Sequence, residues 1–161
     1  MYVNGQRLLK AAPIKNMLSE KVRHNGVSHG LAEAGYDIRI AETIVFDATH
    51  SPFVTVNDET TGRRFTIASA MEEFDMPANL VAYVKDKSTW ARQGLSVFNT
   101  VIEPNWKGFL TLELVYHNDG ILKIPAGTGI AQVLFASLYE NAYYAGKYQN
   151  QSKGAQKAII E

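Results

Sequence analysis

The chain has 161 residues, 46% of them hydrophobic, with 16 basic and 16 acidic side chains and no cysteine. That length suits one domain, here taken as residues 1–161, with a single core. Balanced charge offers no basic face for a long nucleic acid, and the missing cysteines exclude disulfides and thiol chemistry.

Met1-Tyr2-Val3-Asn4-Gly5-Gln6-Arg7 lacks the layout of a secretory signal, and no apolar stretch approaches the ~18 residues of a membrane helix. The expectation is a cytoplasmic protein with no membrane partner. Leu8, Leu9 and Ala12, then Ile14, Met17 and Leu18, have roughly helical spacing interrupted by Pro13, which predicts short N-terminal helices. Val22 to Gly30 reads as a loop. From Gly35 the pattern turns to alternation: Tyr36 to Ile40, Thr43 to Phe46, Phe53 to Val56, Phe65 to Ala68, and a short buried run from Leu80 to Val84. The clearest strand is Phe109 to Tyr116. Leu110, Leu112, Leu114 and Tyr116 should face one way, and Phe109, Thr111, Glu113 and Val115 the other. Asn118-Asp119-Gly120 is a turn, and Ile121 to Ile124 and Ile130 to Phe135 are further strands. Many short strands with regular turns predict a mainly β fold, a barrel or sandwich rather than a βαβ sheet. From Asn141 the pattern gives way to Tyr143, Tyr144, Tyr148 and a Gly/Gln/Asn/Lys-rich tail. Residues 141–161 are either a frayed terminus or a lid that orders on ligand.

Chemistry concentrates in the middle of the chain. Glu113 stands among apolar neighbours on its strand. Partial desolvation there would raise its pKa and suit it as a base, although an outward Glu on a half-solvated strand fits the same pattern. Lys87-Ser88-Thr89-Trp90-Ala91-Arg92 offers a hydroxyl between two cations, a set able to hold phosphate, or else a solvated charged turn. In Val101-Ile102-Glu103-Pro104-Asn105-Trp106, Pro104 holds the backbone extended at Glu103, whose carboxylate is able to accept a sugar hydroxyl or orient water. Trp106 is either a wall for a base or part of the core. Asp37 reads as structural or as a subunit contact. His24, His29, His50 and His117 have no metal-ligand spacing, and no Pro-Cys-x-x-Cys segment is present, so the pattern predicts no zinc site. Neither phosphate-binding glycine motif occurs. Hydrolytic chemistry would then rest on carboxylates and water.

In combination these segments resemble the dCTP deaminase family of the dUTPase-like superfamily. The resemblance runs through Gly35-Tyr36-Asp37-Ile38-Arg39, Glu73-Phe74-Asp75-Met76-Pro77, Lys87-Ser88-Thr89-Trp90-Ala91-Arg92-Gln93-Gly94, Glu103-Pro104-Asn105-Trp106-Lys107-Gly108, Thr111-Leu112-Glu113, Gly129-Ile130-Ala131-Gln132-Val133-Leu134-Phe135 and Gly146-Lys147-Tyr148-Gln149-Asn150-Gln151. It implies a distorted antiparallel β-barrel of the β-clip type with a flexible C-terminal lid. It also implies a homotrimer, or a dimer of trimers, with intersubunit sites, and dCTP bound with Mg2+ held by the triphosphate. By the same resemblance Glu113 is the base that activates water at cytosine C4, and Ser88 and Arg92 fix water, base and phosphates. Lys87 and Lys147 are triphosphate contacts, Glu103 binds the 3′-hydroxyl, and Gln151 and Tyr143 on the lid meet the substrate. Val101, Ile102 and Trp106 complete the binding set. The stretch Leu95 to Ile102 is shorter than in many members, and Thr100 or Val101 must replace an alanine whose carbonyl helps hold the water.

Two rival activities share these residues. One is a dUTPase, or a bifunctional enzyme that takes dCTP to dUMP. The other is a non-catalytic trimeric nucleotide-binding module. Glu113 and Arg92 favour deamination to dUTP and ammonia.

Overall fold

The computed structural model describes residues 1–161. In chain order it contains β1 (Tyr2–Val3), α1 (Gly5–Ala11), β2 (Lys21–His24), β3 (Val27–Leu31), β4 (Tyr36–Arg39), β5 (Ile44–Asp47), β6 (Phe53–Val56), β7 (Glu59–Gly62), β8 (Phe65–Asp75) and β9 (Leu80–Asp86). It continues with α2 (Ser88–Ala91), β10 (Leu95–Val97), β11 (Val101–Ile102), β12 (Lys107–Tyr116), β13 (Ile121–Ile124) and β14 (Gly129–Ser137).

The strands form three antiparallel sheets. β14 is the spine of the largest, flanked by β9 and β4, with β11 outside β9, β3 and β2 outside β4, and β1 added to β14. The second is β10-β12-β8 and the third β13-β5-β6-β7. The expected barrel is mainly β and antiparallel as anticipated, but its sheets are not closed into one. Isolated bridges join Ile40, just after β4, to Ala70 on β8, and the segment after α1 to β8 through Ile14 and Phe74. What unites the sheets is a shared core of 30 buried residues, including Ile38, Phe46, Phe74, Leu112, Leu114 and Phe135.

Local sequence accounts for most elements. On β12, Leu112, Leu114 and Tyr116 are buried, as alternation requires. Leu110 departs from that face and is half-buried, because the β12–β8 register shifts between Phe109 and Thr111. Two hairpins escape the hydrophobic pattern. Val22 to Gly30, expected as a loop, is the β2–β3 hairpin, whose turn residues Asn25 and Gly26 have φ of 51° and 75°. These positive angles are what a tight two-residue turn requires, and Asn-Gly supplies them cheaply. Asn57 and Asp58, with φ of 46° and 68°, do the same between β6 and β7. Only one N-terminal helix forms. Ala12 caps it in the left-handed conformation and donates its N–H to Leu8 O, Pro13 follows, and Ile14 pairs with Phe74 instead of starting a second helix. No helix is long and apolar enough to cross a membrane.

Candidate active site

The site begins where two strands part. β10 pairs with β12 through Val97 and Leu114, and Phe98 donates its N–H to Glu113 O at 2.8 Å. The chain then leaves β12 and pairs with β9 instead, Val101 opposite Tyr83 and Ile102 opposite Ala82. The space opened by this change of partner is a cavity of about 1040 Å³, at the upper end of the roughly 300–1,000 Å³ typical of ligand pockets.

Glu113 and Thr111 face this cavity from β12. Glu113 is half-buried, no cation pairs with it, and burial pushes its pKa above the ordinary glutamate value. Desolvation penalises the ionised form with nothing to offset it, which makes the carboxylate a stronger proton acceptor. The stretch 99–103 forms the opposite wall, so Thr100, Val101, Ile102 and Glu103 all line the cavity. Glu103 is exposed at the rim, where its carbonyl accepts the Trp106 N–H and Asn105 turns the chain with φ of 64°. Trp106 lines the cavity too. It is 6% exposed, packs against Phe74 with ring centroids 6.0 Å apart, and donates Nε1–H to Tyr148 O at 2.6 Å. It therefore serves the core and holds the tail as well as walling the cavity.

Lys87, Ser88 and Arg92 are absent from the cavity lining. Lys87 has a structural partner: its ammonium lies 2.5 Å from Asp37 Oδ2 and 3.1 Å from Ser28 Oγ, and the ion-paired side chains are 10% and 4% exposed. This pair ties α2 to β4 through a cation that the resemblance assigns to triphosphate. The next anchor is Trp90, buried and donating Nε1–H to Gly129 O at 2.7 Å. Ser88 at the start of α2 and Arg92 just past its end are exposed to solvent, and no salt bridge engages the guanidinium. One copy of the chain thus holds the two groups of predicted catalytic residues apart.

The tail runs back over the cavity. Tyr144 N–H donates to Pro104 O, and Gln149 acts as a staple: its Oε1 accepts Lys107 N–H at 2.8 Å and its Nε2 donates to Asn105 O at 2.8 Å and Tyr144 O at 3.0 Å. Gln151 reaches Thr111 Oγ1 through Nε2 at 2.5 Å and lines the cavity. Gly108 permits this approach, since a Cβ there would lie 2.5 Å from Gln151 O. Tyr143, the expected lid tyrosine, is 68% exposed and outside the cavity, while Tyr144 lines it. Lys147 is also outside it, with its ammonium on Ile159 O and over the Tyr148 ring. Residues 144–151 are thus pinned at several points. Asn99, Tyr144 and Gln149 carried no periodicity that sequence reasoning could use. No cluster of three or more His, Asp or Glu side chains is placed to hold a metal ion.

The profile of the family described as DCD, dCTP deaminase-like, matches residues 8–138. The chain belongs to the dCTP deaminase-like family. It is 36% identical over 159 residues to a dCTP deaminase of Roseiflexus castenholzii, with 86% of each chain covered. To a dCTP deaminase of Acidobacterium capsulatum it is 34% identical, covering 94% of this chain and 96% of that protein. Among solved structures, 2'-deoxycytidine 5'-triphosphate deaminase from Agrobacterium tumefaciens superposes with a TM-score of 0.58 at 16% identity, over 83% of this chain and 47% of that one. EIAV dUTPase gives 0.53 at 18% identity, over 85% and 92%. These two likenesses show that the chain has a dUTPase-like fold.

Proposed function

We propose that the protein, acting through residues 1–161 as one deaminase domain, hydrolyses dCTP to dUTP and ammonia, with Glu113 as the general base. The observation that carries this reading is the half-buried, unpaired Glu113 carboxylate facing the cavity. Glu113 removes a proton from a water molecule as its oxygen bonds to cytosine C4, and the proton passes to N3. Glu113 then carries the proton of the new C4 hydroxyl to the exocyclic amine, the C4–N bond breaks, and ammonia leaves as the C4 carbonyl forms. Glu103 at the rim accepts the 3′-hydroxyl, and Val101, Ile102 and Trp106 enclose the base and sugar. Gln151 closes the site from the tail, which serves as the lid. Magnesium arrives with the substrate on the triphosphate.

Ser88 and Arg92 complete the site from a second copy of the chain. Their exposure and lack of partners support this arrangement, as does their separation from the cavity of their own chain. A homotrimer, alone or as a dimer of trimers, supplies each cavity with a neighbour's α2 by symmetry. The test is incubation of the purified protein with dCTP and with dUTP. Ammonia and dUTP from dCTP are expected. Pyrophosphate release from either nucleotide would assign a pyrophosphatase activity, and no product from either would overturn the reading.

A further inference from the structure

Where β10 leaves β12, an ordinary antiparallel ladder would continue by pairing Glu113 N–H and Thr111 C=O with main-chain groups. The main chain has already turned away, and the Asn99 side chain takes both positions. Its Oδ1 accepts Glu113 N–H at 3.0 Å, and its Nδ2 donates to Thr111 O at 2.6 Å. One amide thus replaces a step of backbone pairing on the strand edge that borders the cavity. Without it, both groups would lose these partners at a half-buried position. Only Asn or Gln offers a donor and an acceptor in one planar group, and an Asp at this place would supply acceptors alone.

We propose that Asn99 is a positioning residue that fixes the backbone of Glu113, and hence the aim of its carboxylate, where the fold has to interrupt the sheet to make room for substrate. The proposal rests on the reading of Glu113 as the base. Two features support it: the clamp touches the amide of Glu113 itself, and Asn99 belongs to the wall that the departing chain forms. The bulge between Phe109 and Thr111 loosens the β8 side of the same strand, so Asn99 restrains β12 where its other edge is irregular.

The decisive experiment joins kinetics with amide exchange on the full chain. In Asn99→Ala, kcat for dCTP should fall about 10- to 100-fold, the loss typical of a displaced catalytic group. KM should stay within about threefold, because Asn99 acts on the base and not on substrate binding. The Glu113 amide should exchange faster in Asn99→Ala and recover protection in Asn99→Asp, which keeps an acceptor for it. Wild-type kcat in Asn99→Ala, with Glu113→Gln inactive, would overturn the proposal and leave the base reading standing. Deamination surviving in Glu113→Gln would overturn both. The exchange arm needs no substrate: unchanged Glu113 exchange in Asn99→Ala, or a fast-exchanging Glu113 amide in folded Asn99→Asp if the alanine variant fails to fold, would refute the clamp itself.

Discussion

At the two ends of α2, Ser88 and Arg92 stand in solvent on a short turn anchored by the Lys87–Asp37 pair and by buried Trp90. On β12, Glu113 stands half-buried at a strand edge beside a cavity. The first region keeps its reactive groups hydrated and the second partly dehydrates its carboxylate. Under the proposed function the difference fits their tasks. Cations and hydroxyls that meet a phosphate lose nothing by waiting in water, whereas a base gains strength from desolvation. The comparison also separates residues that lie close in sequence, since the Lys87 ammonium is paired with Asp37 while the Ser88 and Arg92 side chains are exposed.

The largest expected effect is at the base. Glu113→Gln should lower dCTP deamination by about 10²–10⁴-fold, the usual share of a general base, while dCTP binding by calorimetry stays near the wild-type value. Equal loss of binding would mean that Glu113 holds substrate and does not activate water. Lys87→Ala comes next, and its effect should be on stability. It leaves buried Asp37 without its cation, and removing one partner of such a pair costs about 3–5 kcal/mol. Denaturant unfolding should show that loss, and a wild-type midpoint would mean that the pair contributes little to the fold.

Arg92→Ala should behave in the opposite sense to Lys87→Ala. Its stability should stay within about 0.5 kcal/mol of wild type, as for an exposed side chain without partners. Its kcat/KM should fall about 10–100-fold, as a charged hydrogen bond to substrate is lost. Co-assembly then tests whether the two regions meet across a subunit boundary. Random mixing of Arg92→Ala and Glu113→Gln chains would give about a quarter of sites with both residues intact if each site draws on two copies. No recovery over either variant alone would place both residues in one chain's site.

The same contrast explains what could be read from the sequence. The β12 strand was legible because one short segment carries both its alternation and its glutamate. The strands β6, β9, β13 and β14 were legible for similar local reasons. The β2–β3 hairpin was not, since Arg23, His24 and Asn25 break the apolar pattern and the information lies in the Asn25-Gly26 turn. The Lys87–Asp37 pair was illegible because Asp37 lies on β4, fifty residues before Lys87. Tyr143 and Tyr144 have no periodicity to separate them; their places follow from the Tyr144 N–H to Pro104 O bond and the Gln149 staple. That staple gives a smaller prediction. Gln149→Ala should cost about 1–2 kcal/mol and speed tryptic cleavage after Lys147, and unchanged cleavage would show that the tail is held mainly by other contacts.

The smallest effect reverses the first one at the same residue. Burial raises the pKa of Glu113 in the folded chain above its unfolded value. Below the unfolded pKa the carboxyl is protonated in both states and imposes no penalty. As pH rises through the interval up to the folded pKa, the folded state holds more protons than the unfolded state, and stability falls. Above the folded pKa the loss is constant. Glu113→Gln removes that ionisation, so the variant should be more stable than wild type near neutral pH. The gain should stay under about 1 kcal/mol, because solvent still screens a half-buried group. It should shrink once pH drops below the ordinary glutamate range. Thermal melts of both proteins across that range measure it. A gain independent of pH would trace to packing of the amide, whereas a gain confined to higher pH would mean that the desolvation making Glu113 a base also costs the fold stability.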